Sequence, residues 1–189
     1  MKKIFVINGS ASENSSNSKL IEYIAEQTRD FFRMEVFKSL KTLPHFDPDL
    51  SSENTPEAIL KFRKDVDNAD GILICTPEYV FSIPSGLKNA IEWCVSTIVF
   101  SEKPTGLITA SAGGEKGHEE LQLITKTVMT KTTPATTLLI HGIKGKISQL
   151  RWRLEEVTCD EWRVTSWSLL LRLVTCHLSL SIQFDWIDI

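Results

Sequence analysis

Three short segments carry the residue types from which a site for a phosphorylated, ring-bearing ligand is built. The first, residues 9–18, reads GSASENSSNS and leads into a helical pattern. Free backbone N–H groups at a helix N-terminus, reinforced by the helix dipole and by hydroxyls, suit a phosphate dianion. Neither GxxxxGK[ST] nor GxGxxG occurs there, which favours a monophosphate over a nucleoside triphosphate or a dinucleotide. Serines and asparagines also cap helices and build turns with no ligand involved. The second segment, residues 76–86, reads TPEYVFSIPSG. Its prolines hold the backbone and Tyr79 offers a flat face to an aromatic ring, the alternative being a stiff surface turn with Tyr79 packed on the next helix. The third, residues 111–117, is SAGGEKG. Its glycines let a backbone approach a planar ligand closely and serve equally well in a strand-to-helix turn.

The elements that must position these segments alternate along the first 141 residues. Short β-rich runs at 4–7, 34–37, 71–76, 105–110 and 137–141 are nearly continuous in apolar residues, as expected for strands covered by helices on both faces. Between them Leu20, Ile21, Ile24, Ala25, Thr28 and Phe31 place one stripe on a helix over about 18–32. Thr55 as cap and Pro56 as first residue open a second helix, lined by Ala58, Ile59, Phe62, Val66 and Ala69. Two more are expected over 85–95 and about 116–130. The pattern is that of a doubly wound α/β domain with a parallel sheet. In a five-stranded sheet of order 2-1-3-4-5, the three segments follow strands one, three and four, whose carboxyl ends are neighbours. Ligands of such sheets bind where the strand order switches.

The chain has 189 residues, 42% of them hydrophobic, which suits a single domain. A net charge of −3 argues against a nucleic-acid partner. With no apolar stretch long enough for a signal peptide or a membrane span, the expectation is a cytoplasmic protein without membrane contact. Cys75, Cys94, Cys159 and Cys176 form no CxxC pair, so neither disulfides nor a zinc site are expected. His45, His118, His141 and His177 lack ligand spacing and read as surface or loop histidines; no metal is expected. Ser111 lacks the GxSxG context of a hydrolase nucleophile.

The three segments together, GSASENSSN, TPEYVFSIPSGLKNAIEW and SAGGEKG, resemble the NADPH-dependent FMN reductase family over about residues 2–145. The middle match is long and the most specific. The resemblance implies a flavodoxin-like fold and FMN as cofactor. Ser10, Ser15, Ser16 and Asn17 would hold its phosphate, Pro77, Glu78, Tyr79 and Val80 would border the ring, and Ser111, Gly114 and Gly117 would lie at its far edge. NADPH or NADH would be the donor and a quinone, azo compound, free flavin or metal oxyanion the small-molecule acceptor. No catalytic side chain is required, because the flavin does the redox chemistry. The resemblance also implies a homodimer or homotetramer, with Ile91 and Trp93 at the interface. Many members carry Arg where Ser12 stands and Asn-Gly where Val80-Phe81 stand, so phosphate affinity and ring environment are expected to differ here. The rival reading is a non-enzymatic flavodoxin-type electron carrier, for which −3 is a modest steering charge.

Beyond Gly145 the pattern changes. Trp152, Trp162, Trp167 and Trp186 crowd the end of the chain, and a covering helix is expected within 151–173 on a weak stripe. Residues 146–189 read as an atypical, altered terminus, which would leave a weak FMN binder.

Overall fold

A computed structural model describes residues 1–38 and 40–147. The helix expected within 151–173, and all of the atypical segment from residue 148 on, lie outside the described residues. The strands are β1 (Lys2–Asn8), β2 (Phe32–Phe37), β3 (Gly71–Thr76), β4 (Thr105–Ser111) and β5 (Thr137–His141), all parallel in the order 2-1-3-4-5. Helices α1 (Ser16–Thr28), α2 (Glu57–Asp67), α3 (Ser85–Glu92) and α4 (Glu115–Thr127) connect them.

Strand side chains alternate between faces, and each face has its own core. Ile4, Val6, Leu73, Cys75, Ile108 and Ala110 pack with Leu20, Ile21 and Ile24 of α1. Phe5, Ile7, Ile72, Ile74 and Leu107 pack with Ile59, Phe62 and Val66 of α2, Leu87 and Ala90 of α3, and Leu121 of α4. All six residues of β3 are buried, which is why that strand reads as an unbroken apolar run. Burying each Leu or Ile contributes about 1.5–3 kcal/mol before entropy is counted.

Several boundaries differ from the expected ones. Helix α1 stops at Thr28, not near residue 32, because Phe32 is needed in β2, where it is buried and pairs with Lys2. The Phe31 N–H closes the intervening turn on the Thr28 carbonyl at 2.9 Å. Thr55 does not cap α2. The helix starts one residue past Pro56, and the Thr55 hydroxyl instead donates to the Leu50 carbonyl at 2.9 Å. Helix α4 closes at Thr127 with a Schellman arrangement: Thr130 N–H bonds to the Thr125 carbonyl at 3.1 Å and Met129 N–H to that of Lys126 at 3.0 Å. Met129 fills the left-handed position with φ 60°. Glycine is usual there, so the sequence offers no stop signal.

Ile91 and Trp93 do not form an exposed face. Both are buried within the α2–α3 side of the core, and the Trp93 ring N–H donates to the Pro44 carbonyl at 2.8 Å. Their apolar bulk serves packing inside one chain, which removes them as interface residues. Val95 and Ile98, just beyond α3, are exposed instead.

Candidate functional site

The first loop hangs from the end of β1. Asn8 accepts from Ser10 N–H at 3.0 Å through Oδ1 and donates through Nδ2 to the Ser18 hydroxyl at 3.0 Å. Ser18 donates its hydroxyl proton to the Glu13 carbonyl at 2.7 Å, so the 2.9 Å contact between the Ser15 and Ser18 hydroxyls takes its proton from Ser15. Ser15 also accepts from Ser18 N–H at 3.0 Å, the bond of a helix N-cap. Its hydroxyl is therefore committed to the cap. The N–H groups of Ser16 and Asn17, the first two residues of α1, have no acceptor among the described residues, and at a helix N-terminus they form a polar cradle. Asn8 and Ser18, which hold that cradle, escaped sequence reading; the one signal was a polar amide ending an apolar strand.

Asn17 contributes to the cradle through its backbone alone. Its side chain is 2% exposed and turns into the core, where Nδ2 donates to the Ala110 carbonyl at 3.1 Å and Oδ1 accepts from the Cys75 thiol at 3.2 Å. The amide thus ties α1 to β3 and β4. It does not reach a phosphate in front of the helix.

The second loop is a two-residue hairpin. Tyr79 N–H bonds to the Ser82 carbonyl at 2.9 Å and Ser82 N–H to that of Tyr79 at 3.1 Å. Val80 and Phe81 between them have φ 52° and 60°, the mirror-image turn that favours Asn-Gly. An L-residue held there costs about 1–2 kcal/mol, and a β-branched one sits at the unfavourable end. Tyr79 keeps 42% of its surface exposed, so it is not packed away on the next helix, and its hydroxyl lies 3.5 Å from that of Ser10. Loops one and two therefore meet.

Helix α4 clamps this hairpin with two carboxylates. Glu78 accepts from Gly117 N–H at 2.7 Å, in the first turn of α4, where the helix dipole favours a negative charge. Glu120 of α4 accepts from the Ser82 hydroxyl at 2.6 Å and from Ile83 N–H at 2.9 Å. Glu120 escaped sequence reading, because nothing local marks a helix glutamate that reaches a loop 38 residues away. Hydrogen bonds to a charged group contribute about 1.5–3 kcal/mol when buried; this carboxylate is partly exposed. Glu120→Ala is expected to cost about 1–2 kcal/mol and Glu120→Gln, which keeps one acceptor, about half that, read as shifts of the urea midpoint. Equal midpoints for all three proteins would remove the clamp.

In the third loop, Gly114 has φ 118° and a Cβ there would come within 3.0 Å of Leu139. Gly117 is crowded by Glu78, whose Cβ and Cγ would lie 3.2 Å from an added Cβ. This glycine makes room for the clamp. Its N–H is used by Glu78 and is not offered to a ligand. Ser111 ends β4, its Cβ 3.4 Å from where a Cβ at Gly114 would lie, and Pro77 follows β3, its carbonyl accepting from the Thr76 hydroxyl at 3.0 Å.

His118 is neither a surface nor a loop residue. It lies in α4, half-buried, with Nδ1 2.9 Å from the Thr109 hydroxyl, and desolvation lowers its pKa below the usual value. A neutral folded histidine and a protonatable unfolded one mean that the unfolded chain binds more protons below about pH 6.5. Stability is expected to fall as pH drops through that value, and His118→Gln to flatten the change between pH 7 and 5. Parallel stability profiles for the two proteins would refute this assignment. Both described cysteines are buried, and burial pushes the Cys75 thiol up and that of Cys94 up to about 12, with Arg63 pulling the latter partly back. Neither is a thiolate nucleophile at neutral pH.

A cavity of about 480 Å³ opens on the β2 side of the first loop. Asn8, Ser10, Ser12 and Ser18 line it together with Ile21, Phe37, Lys38 and Lys41. It adjoins the cradle but is not lined by the second or third loop. Lys116, the basic residue within the third segment, is engaged by Glu119 at 2.8 Å.

A parallel 2-1-3-4-5 sheet with a helix-capping polar loop after β1, and two clamped loops at the neighbouring ends of β3 and β4, defines a flavodoxin-like protein. The chain belongs to the NADPH-dependent FMN reductase family, whose pattern matches residues 2–143. It is 32% identical over 120 residues to an NADPH azoreductase of Bacillus sp. (strain OY1-2), covering 63% of this chain and 64% of that protein. It is 35% identical over 114 residues to a 2-hydroxy-1,4-benzoquinone reductase of Burkholderia sp, covering 59% and 61%. The chain thus spans somewhat less than two thirds of these relatives' length. Among solved structures, the flavoenzyme NAD(P)H:(acceptor) oxidoreductase of Paracoccus denitrificans shares the fold, with a TM-score of 0.65 at 20% identity over 97% of this chain and 98% of that one.

Proposed function

We propose that the chain binds FMN across the carboxyl ends of β1, β3 and β4 and passes electrons from NADPH or NADH to a small acceptor, a quinone or an azo compound. The observation that carries this reading is the pair of α1 N–H groups at Ser16 and Asn17, without an acceptor among the described residues, on a loop held by the Asn8–Ser18–Ser15 network. They fit a phosphate. Ser10 and Tyr79 continue the same surface toward the hairpin, where the Tyr79 ring and the Pro77–Val80 backbone fit a planar ring, with Ser111 and Gly114 on its far side. Family membership supports FMN as the group held, and the names of the relatives support the acceptor class.

A flavin held there would supply the hydride and electron transfer. The protein's residues bind and orient. Amides at the α1 N-terminus neutralise the phosphate where Ser12 brings no charge of its own; Glu78 and Glu120 fix the distance between the two ring-border loops. No side chain is assigned a catalytic proton transfer. The exposed Val95 and Ile98 support pairing of two copies as a homodimer, or of dimers as a tetramer. Among the described residues no helix is long and apolar enough to cross a membrane, and we place the protein in the cytoplasm. Residues 1–189 are taken as one domain whose last segment, 146–189, is atypical.

The test is the visible spectrum of the purified full chain, before and after adding FMN and desalting, followed by anaerobic NADPH and, separately, NADH. A retained yellow chromophore that bleaches supports the reductase. Retained flavin that both NADPH and NADH leave oxidised would instead favour a flavodoxin-type carrier, and a colourless protein would overturn FMN binding.

A further inference from the structure

We infer that the hairpin tip, and Phe81 above all, selects the electron acceptor of the proposed flavin site and favours a planar apolar one, such as a quinone with fused-ring or alkyl substituents, over a polar or strongly charged one. The inference rests on the reductase reading above. Phe81 and Val80 are 78% and 93% exposed, although both stand in left-handed backbone with φ 60° and 52°. The chain thus keeps two large apolar side chains where Asn and Gly would be unstrained, and no contact among the described residues accounts for them. Strain of this kind concentrates at ligand clamps and functional loops.

The tip is also held in a fixed place. Both backbone bonds between Tyr79 and Ser82 close it. Glu120 fastens its far side through Ser82 and Ile83, and Glu78 fastens its near side to the start of α4. It follows directly on Tyr79, whose hydroxyl reaches the first loop, so an acceptor approaching the proposed flavin site past the second loop meets an apolar rim. Among the described residues the Glu78 and Glu120 carboxylates fasten the two sides of the hairpin, and Lys88 lies 3.8 Å from Glu120. Two carboxylates against one ammonium leave this set net negative, which does not favour an anion. An apolar, flat acceptor gains contact area with Phe81 and meets no desolvation cost there. In the overall step the nicotinamide donor gives a hydride, solvent gives one proton, and the quinone leaves as the quinol.

The experiment compares the wild type with Phe81→Gly and Phe81→Tyr, each loaded with FMN and desalted. The readout is the ratio of kcat/KM for menadione to kcat/KM for ferricyanide, with melting temperature and sedimentation measured alongside. Phe81→Gly removes the ring and relaxes the φ 60° position, so it is expected to fold at least as well. Its ratio is expected to drop about tenfold, through KM for menadione, whereas Phe81→Tyr keeps the ring and stays within about twofold of the wild type. An unchanged ratio in a flavin-loaded, NADPH-reducible Phe81→Gly protein overturns the inference and leaves the reductase reading standing. An unchanged ratio together with a shift from dimer to monomer overturns it too, and assigns the tip to a contact between copies. Failure of the wild type to retain FMN, or to be bleached by either NADPH or NADH, removes the reductase reading and this inference with it.

Discussion

Gly9→Ala is expected to strip the protein of FMN and to lower its melting temperature. A Cβ at this position would lie 2.3 Å from the Thr76 hydroxyl oxygen, 2.7 Å from the Thr76 Cβ and 3.1 Å from a Leu87 methyl. Thr76 is fully buried at the end of β3 and Leu87 is fully buried in α3, so neither moves aside without disturbing the core. The chain's alternative is to lift the first loop away. That breaks the 2.9 Å bond from Gly9 N–H to the Cys75 carbonyl and displaces Asn8 and Ser10, which aim the cradle. Overpacking of this kind costs about 1–3 kcal/mol. In a chain of this size that corresponds to about 2–4 °C per kcal/mol. Differential scanning calorimetry and the flavin spectrum after desalting read the two effects. A Gly9→Ala protein that melts with the wild type and stays yellow would show that the loop does not lie against Thr76.

Asn17→Asp is expected to be more damaging to stability, and in a way that depends on pH. The substitution preserves shape but replaces the donor facing the Ala110 carbonyl at 3.1 Å with an acceptor. It also places a carboxylate in a site 2% exposed. An uncompensated buried charge costs several kcal/mol, and the group escapes by protonating. Its folded-state pKa is then raised above the unfolded value of about 3.9. Its stability contribution is therefore present at low pH and lost as pH rises through the folded pKa. We expect a loss of about 3 kcal/mol or more at pH 7.5, partly recovered at pH 5, where the acid can again donate to Ala110. This trend runs opposite to that of the wild type, which loses stability on acidification through His118. Urea titrations at the two pH values measure both. A deficit that is the same at pH 5 and 7.5 would mean that the introduced carboxylate finds water, contrary to a buried bridge between α1 and β4.

The cases of Asn17 and Gly9 show where reading a sequence stops. The loop GSASENSSNS advertises a phosphate site through its composition, but which of its members faces a phosphate depends on the angle at which α1 leaves β1. Ser15 is consumed by the cap, Asn17 by the sheet, and the amides of Ser16 and Asn17 remain. A residue's type states what it is able to bind, whereas its neighbours state what it does bind. Likewise Glu78 is legible as part of TPEY, but its partner Gly117 and the reciprocal Glu120 are brought to it by the β3–β4 pairing, across 39 and 38 residues.

The architecture follows from local pattern. Continuous apolar strands, amphipathic stripes and alternating order leave a parallel, doubly wound sheet as the arrangement that buries those faces, and the order 2-1-3-4-5 then places the three loops together. Hydrophobic periodicity is sufficient for that, because it is repeated over many residues. Contacts across the folded chain settle the rest. They end α1 at Thr28 so that Phe32 can join β2, send Ile91 and Trp93 into the core, make His118 a half-buried partner of Thr109, and set Val80 and Phe81 outward on a strained turn. Each of these turns on how one segment meets another in space, and no periodic signal along the sequence encodes a contact made once.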